Sequence, residues 1–267
     1  CLLSRGLGDV YKRQGEAFDG IGLKIKEGQT SNTSDGQLFL YNIADKSIKP
    51  LTKDFDPSVD SYEWNALDKQ IYIMAKDKDR VRMYSLNPSN GKIKQLQAKE
   101  DVISDYSIAN QAFEMVYFGL SASNSQRLYT YNLKNDASSC LIDLSKEILR
   151  DVTLGEVQDW NFVSAQGDTI YGRFYLPPHF DATKKYPMIV NYYGGTTPTA
   201  RVMESRYPSH VYAGLGYIVY IIQPSGATGF GQEFSARHVN AWGKLTADEI
   251  IEGTKKFCDC LLYTSPS

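Results

Sequence analysis

Residues 188–195 read MIVNYYGG, a nearly continuous apolar run that ends at two glycines. A second run of the same kind, YIVYII, occupies residues 217–222 and is followed closely by a Pro-Ser-Gly turn. Apolar runs of this length without alternation are typical of strands that are buried on both faces. Helical spacing over residues 200–213 separates the two runs. The sequence therefore predicts a parallel sheet covered by helices.

The same domain is predicted to begin with a hairpin and to continue into a helix. Residues 157–163 and 169–176 flank a polar turn and have strand composition. Further along, Thr246 and Glu249 have the spacing of a capping box at the start of a helix. The residues that would share one face of this helix are Ile250, Ile251, Thr254, Phe257 and Cys258. These elements predict an α/β domain that starts near residue 155.

The first half of the chain repeats a hairpin three times. Tyr41, Tyr84 and Tyr131 occupy equivalent places in its first strand, which gives a period of roughly 45 residues. Another strand precedes the second and third hairpins, at residues 70–75 and 113–118. This period, with several strands per unit, is typical of propeller blades, and a β-sandwich of unrelated hairpins is the alternative. The predicted fold class is a partial β-propeller of about three blades, followed by the α/β domain.

The two ends of the chain read as translated sequencing adapter. Residues 9–14, DVYKRQ, can be encoded by a string whose reverse complement, read one base later, encodes CLLYTS, the sequence of residues 260–265. Such segments are excluded from reasoning about the fold. The expected division of the chain is adapter-derived, non-native residues at 1–14 and 260–267, partial β-propeller at 15–154 and α/β domain at 155–259.

Composition excludes several kinds of function. The chain carries 29 Lys and Arg against 31 Asp and Glu, a net charge of −2, which gives no electrostatic footprint for nucleic acid. No apolar run reaches the roughly 18 residues of a membrane helix. No His, Cys, Asp and Glu cluster has metal spacing, and the glycines of residues 226–231 do not form a dinucleotide fingerprint. We expect no cofactor, no metal, no nucleic-acid partner and no membrane segment.

The junction of the two domains resembles a known family. Residues 187–199, PMIVNYYGGTTPT, are similar to the strand and oxyanion-hole loop of the prolyl oligopeptidase family of serine peptidases, above all its dipeptidyl-peptidase-IV-like branch. Residues 214–219 and 225–231 resemble the next strand and glycine-rich loop of that family. The resemblance covers residues 30–259, although Ser225 stands where many members carry Arg. It implies that the second domain is the N-terminal part of an α/β-hydrolase domain.

The catalytic triad of this fold is expected to be absent. Acyl transfer needs a Ser on a strained turn, usually Gly-x-Ser-x-Gly, with Asp and then His later in the chain. No Gly-x-Ser-x-Gly occurs. The histidines, His179, His210 and His238, all precede the place after Asp259 where the resemblance puts the nucleophile. We expect a chain that is inactive by itself, from a parent that hydrolyses short peptides through an acyl-enzyme.

One catalytic group is expected within the chain. In the resembled branch a Tyr hydroxyl in the loop after this strand donates to the oxyanion, and Tyr193 occupies that position. The alternative is that Tyr193 is a strand-end aromatic packed on the sheet. Tyr192 should point to the opposite side and serve packing. His179 reads as a surface loop residue, His210 as a helix-face residue, and His238 as a structural residue that could lie near the site.

Two other functions stay open on the sequence. One is an esterase-type α/β hydrolase fused to a propeller, and the other is a propeller binding protein whose hydrolase-like domain has no nucleophile. The expected partners are short peptide substrates, with a homodimer of the parent also open. The resemblance favours a periplasmic or secreted parent, and a cytoplasmic parent is the alternative.

Overall fold

The structure of this protein, a computed structural model, describes residues 9–14, 20–241 and 243–263. The adapter predictions for residues 1–8 and 264–267 lie outside the described residues. Residues 9–14 form a strand, β1 (Asp9–Gln14), which pairs antiparallel with β2 (Gly36–Tyr41). The assignment of this strand to adapter stays a prediction.

The first half folds into antiparallel units of recurring strand order. Strand β2 pairs with β3 (Ile48–Pro50). The next unit consists of β4 (Ser58–Trp64), β5 (Ile71–Asp77), β6 (Arg80–Leu86) and β7 (Ile93–Gln95). The last consists of β8 (Val102–Ile108), β9 (Glu114–Ser121), β10 (Asn124–Asn132) and β11 (Ala137–Asp143). A single pair in parallel register, Val81 with Val102, joins the two four-stranded units.

The repeated tyrosines lie where the period predicted. Tyr41, Tyr84 and Tyr131 are on β2, β6 and β10, each followed by an antiparallel partner strand. The units pack face to face through alternate residues of their strands. On β5, Ile71 and Ile73 face the core shared with the preceding strands, while Tyr72 on the opposite face belongs to the core shared with the following unit. Strand β5 therefore contributes to two cores, as the alternation of its side chains allows.

The second half contains a mixed sheet. Its strands are β12 (Val157–Asp159), β13 (Phe162–Val163), β14 (Thr169–Tyr175), β15 (Met188–Asn191) and β16 (Ile218–Gln223). The order is β12-β14-β16-β15, with β13 also on β14. Strands β15 and β16 are parallel, as the two apolar runs predicted, and every residue of β16 is buried. Strand β14 is antiparallel to β16, so the predicted hairpin forms one side of the sheet.

The helices differ from the predicted ones. They are α1 (Ser145–Ile148), α2 (Ser209–Gly214), α3 (Gln232–Ala236) and α4 (Lys244–Tyr263). The prediction of a helix over 200–213 is wrong for its first nine residues. The carbonyl of Ala200 accepts a hydrogen bond from the Arg173 side chain, and the Arg201 N–H donates to the Asp79 carbonyl. These backbone groups bind partners distant in sequence in place of the partners four residues away that a helix would supply.

The predicted capping box is also wrong. Helix α4 begins at Lys244, two residues before Thr246. The Thr246 hydroxyl lies 3.5 Å from the Ser225 carbonyl, and the Glu249 carboxylate accepts hydrogen bonds from Ser225. Both side chains thus bind the turn after β16 and not the first amides of their own helix. Further along α4, Phe257 is buried as predicted and stacks on Tyr220 at 4.4 Å, whereas Ile251 is exposed.

Candidate active site

The two tyrosines after β15 differ in burial, and both line the cleft described below. Tyr192 is 51% exposed, so the prediction that it serves packing is wrong. Tyr193 is half-buried and packs against the core formed by β14, β16 and α4. Strand β15 ends at Asn191, earlier than predicted, so both tyrosines belong to the loop. This loop leaves the carboxyl end of a parallel strand, where α/β sheets bind their ligands.

The phenol of Tyr193 points at the neighbouring strand end. Its hydroxyl donates a hydrogen bond to the carbonyl of Pro224, which directly follows β16. Burial raises the pKa of Tyr193 well above its ordinary value of 10.0, and the negative charge of Glu249 raises it further. The hydroxyl is therefore protonated at neutral pH and acts as a hydrogen-bond donor.

A cleft of about 500 Å³ opens beside this loop. Its lining residues are Tyr192, Tyr193, Gly194, Gly195, His238, Gly243, Thr246, Ala247, Ile250 and Ile251. The cleft thus combines the loop after β15 with the first turns of α4. Gly194 and Gly195 leave its mouth open, because a Cβ at either position would meet nothing within 4 Å.

Of the three histidines, only His238 lines the cleft. It packs against Gly226, where an added Cβ would lie 2.6 Å from the Cβ of His238. His210 is on α2, as predicted, with its ring edge-on to Tyr175, and burial lowers its pKa. His179 is exposed in the loop after β14, also as predicted. The structure therefore does not bring the histidines together.

The loop that follows Tyr193 is held by the sheet and by the other domain. The Arg173 guanidinium, 1% exposed on β14, donates to the carbonyls of Thr199 at 2.9 Å and Ala200 at 2.6 Å. Its charge is met by Asp79, at 2.9 Å, from the turn between β5 and β6. Asp79 also pairs with Arg201, whose Nε lies 2.8 Å from the same carboxylate oxygen. A buried ionic cluster thus joins the two halves of the chain at this loop.

Within the sheet, Gln223 completes the attachment of this loop. Its side-chain oxygen accepts the Thr199 N–H at 3.0 Å, and its side-chain amide donates to the Thr199 carbonyl at 2.7 Å. Sequence reasoning missed Gln223 as well as Arg173 and Asp79. The one signal was Arg173, which lies within the otherwise strand-forming run of residues 169–176. An arginine on an interior strand needs a buried counterion.

The sequence of the chain is similar to dipeptidyl peptidases. No family model matches it. It is 28% identical over 208 residues to dipeptidyl-peptidase 5 of Porphyromonas gingivalis, and 28% identical over 227 residues to dipeptidyl-peptidase 5 of Aspergillus fumigatus. These matches cover 78% and 80% of the chain, and 30% of each relative. The chain therefore spans about a third of the length of these curated relatives.

The fold is that of solved peptidase structures. An acylaminoacyl peptidase from Pyrococcus horikoshii superposes with a TM-score of 0.71 at 18% identity, over 84% of this chain and 34% of that one. A putative dipeptidyl aminopeptidase IV from Bacteroides ovatus gives 0.68 at 19% identity, over 87% and 37%. The chain is thus similar in sequence to dipeptidyl peptidases and in fold to solved acylaminoacyl and dipeptidyl peptidases.

Against the family pattern, the turn after β16 carries a substitution that the structure explains. Ser225 stands in place of the Arg that many resembled members carry, and it is buried. Its N–H and its hydroxyl both donate to Glu249, each at 2.7 Å. Arg237 supplies a positive charge beside this pair, with Nη1 3.4 Å from the Ser225 hydroxyl and both Nη atoms on Asp168. A guanidinium is thus present here, but it comes from the end of α3.

The described residues contain no group of three or more His, Cys, Asp or Glu that could hold a metal ion. Among the helices that the structure describes, none is both long enough and apolar enough to cross a membrane.

Proposed function

We propose that this chain is part of a longer serine peptidase that hydrolyses short peptides through an acyl-enzyme. The relatives named dipeptidyl-peptidase 5 support the reaction class. The observation that carries the proposal is the placement of Tyr193, whose protonated phenol lies at the carboxyl end of the parallel strands beside an open cleft. This is the place where an α/β hydrolase stabilises its oxyanion.

Tyr193 would act as one hydrogen-bond donor of the oxyanion hole. When a serine attacks the peptide carbonyl, negative charge develops on the carbonyl oxygen, and a donor already held in place stabilises that charge. The phenol is a donor in its resting state, because its pKa lies well above neutral pH. Before substrate binds, its proton is donated to Pro224. The nucleophile, its acid and its base would come from the part of the parent after Asp259, so the chain alone would be inactive.

The repeat units would form part of a β-propeller. The outward face of the last unit is apolar and exposed, with Val116 and Phe118 on β9 and Ile142 on β11. The opposite face of this unit packs on the preceding unit through Met115 and Tyr117. An exposed sheet face of this kind supports a further blade beside it in the parent, since propellers stack blades face to face around a channel. The propeller would restrict entry to short peptides.

The test uses the full-length parent enzyme, numbered as in this chain. Tyr193→Phe removes the donor and keeps the ring, so kcat on a Gly-Pro reporter peptide should fall about 100-fold, or about 3 kcal/mol, with KM nearly unchanged. Tyr207→Phe, at an exposed position that does not line the cleft, is the matched control and should keep kcat. An unchanged kcat in Tyr193→Phe would refute the oxyanion role. Activity on an acyl-ester reporter without activity on Gly-Pro would favour the esterase alternative.

A further inference from the structure

The turn after β16 determines where the Tyr193 phenol rests. The phenol donates to the carbonyl of Pro224, and the residues on either side of that carbonyl are buried. Gly226 closes the turn with φ of +109°, a conformation that side-chain-bearing residues rarely adopt. A movement of this turn would move the acceptor that orients the phenol.

Glu249 binds this turn through two hydrogen bonds from Ser225. It is 2% exposed on α4, and its two carboxylate oxygens accept the N–H and the hydroxyl of Ser225, each at 2.7 Å. Thr246, one helical turn earlier, lies 3.5 Å from the Ser225 carbonyl. The carboxylate accepts hydrogen bonds from both the N–H and the hydroxyl of Ser225. Loss of either bond would leave a buried polar group without a partner, so this contact fixes the position of the turn.

We propose that Glu249 is a positioning residue for the Tyr193 phenol, acting through the backbone turn that begins at Pro224. The role rests on the proposed function, because it requires that the phenol donates to an oxyanion. Glu249 itself touches neither substrate nor the reacting atoms. The sequence predicted Glu249 as part of a capping box. Its buried hydrogen bond with Ser225 places it beside the candidate site instead.

The electrostatics around Glu249 agree with this position. Burial raises the pKa of the Glu249 carboxyl, while the bonds from Ser225 and the charge of Arg237 act in the other direction. The charge of Glu249 in turn adds to the burial that raises the pKa of Tyr193. The negative charge of Glu249 therefore acts on the phenol directly, in addition to the contact that runs through the turn.

Measurements of kcat and KM on the full-length parent enzyme distinguish a positioning role of Glu249 from a general loss of structure. Glu249→Ala releases the turn, and we expect kcat to fall about tenfold with KM within about twofold, a smaller loss than removal of the donor. Glu249→Gln can keep both contacts, since its amide oxygen accepts the Ser225 N–H and its amide nitrogen donates to the hydroxyl. It should therefore retain most of kcat. Asp248→Ala, an exposed acid on the same helix, should leave kcat unchanged.

The decisive comparison adds Glu249→Ala to Tyr193→Phe. If Glu249 acts through the phenol, the added change leaves kcat within about twofold of Tyr193→Phe alone. A further tenfold loss would overturn the positioning role while the oxyanion function stands. An unchanged kcat in Tyr193→Phe alone would instead remove the proposed function.

The environment of the Tyr193 ring can also be measured on this chain by ¹⁹F NMR, without an activity assay. With 3-fluorotyrosine incorporated, the ¹⁹F resonance of Tyr193 is identified by its absence in Tyr193→Phe. We expect it to shift in Glu249→Ala and to stay near its original position in Asp248→Ala. Ser225→Ala removes one of the two contacts and should shift the resonance in the same direction, which keeps the test available if Glu249→Ala does not fold. A resonance that moves in neither variant would overturn the role.

Discussion

Substitution of Asp79 by Ala should destabilise this chain more than any exposed charge change. Asp79 is the counterion of Arg173, whose guanidinium is almost completely buried at the junction of the two domains. It also pairs with Arg201, which keeps a second partner in the half-exposed Asp159. Within the part of the chain that the structure describes, Asp79 is the one carboxylate bonded to Arg173. Its charge would be left buried and uncompensated.

The magnitude follows from this difference between the two arginines. Removal of one partner from a buried ion pair costs about 3–5 kcal/mol, because the remaining charge stays desolvated. The cost at Asp79 should reach that range through Arg173 alone. A chain of this kind has a total stability of roughly 5–15 kcal/mol, so Asp79→Ala removes a large part of it. Replacement of both partners, Asp79→Leu with Arg173→Met, should recover much of the loss.

Urea unfolding of the chain at neutral pH measures this effect. Asp79→Ala should lower the transition midpoint, and the free energy of unfolding should fall by about 3–5 kcal/mol. Asp151→Ala is the control, since Asp151 pairs with Arg150 at the exposed surface and should change stability by less than about 1 kcal/mol. A loss below about 1 kcal/mol for Asp79→Ala would refute the view that this carboxylate balances the buried guanidinium.

Three further changes test other parts of the structure. Phe257→Ala removes the ring that stacks on Tyr220 and should cost about 3–5 kcal/mol in urea unfolding; a cost under about 1 kcal/mol would contradict this packing. Gly155→Ala would place a Cβ 1.7 Å from the Leu176 carbonyl, so this variant should yield little folded protein by circular dichroism, and normal yield would disprove the contact. Burial raises the pKa of Asp35 above 3.8, so the contribution of Asp35 to the free energy of unfolding should fall as pH rises from that value through the folded pKa. The difference in unfolding free energy between the unaltered chain and Asp35→Asn should therefore change over this pH range, and a constant difference would show that Asp35 does not titrate in this way.

The apolar runs and the repeated tyrosines were sufficient to predict much of this fold. A strand buried on both faces is apolar at nearly every position, so β16 could be predicted from the sequence alone. Strand β15 is only partly buried in the structure, but it has the same apolar pattern. Each repeat unit has turn-forming residues between its strands, so its hairpins could be predicted from the sequence too. The position of Tyr193 at the end of β15 followed from the same pattern together with the family resemblance.

The contacts that hold the site were not predictable from local pattern. Thr246 and Glu249 have the spacing of a capping box, but the buried turn at Ser225 competes for the carboxylate and offers it two donors. Residues 200–208 have helical spacing, yet their first carbonyl binds Arg173 on another strand. In both places a partner at long sequence separation decides the outcome, and periodicity carries no information about such partners.

The candidate hole depends on both domains at once. The Thr199 carbonyl accepts hydrogen bonds from two side chains of the sheet, Gln223 and Arg173. Gln223 is neutral, whereas Arg173 is charged. Arg173 can stay buried because Asp79 of the repeat units balances its charge. Displacement of the repeat units would therefore leave Arg173 either uncompensated or turned towards water, and in the second case the loop after Tyr193 would lose two of its hydrogen bonds. The shape of this loop is thus energetically coupled to the docking of the domain that would admit the substrate.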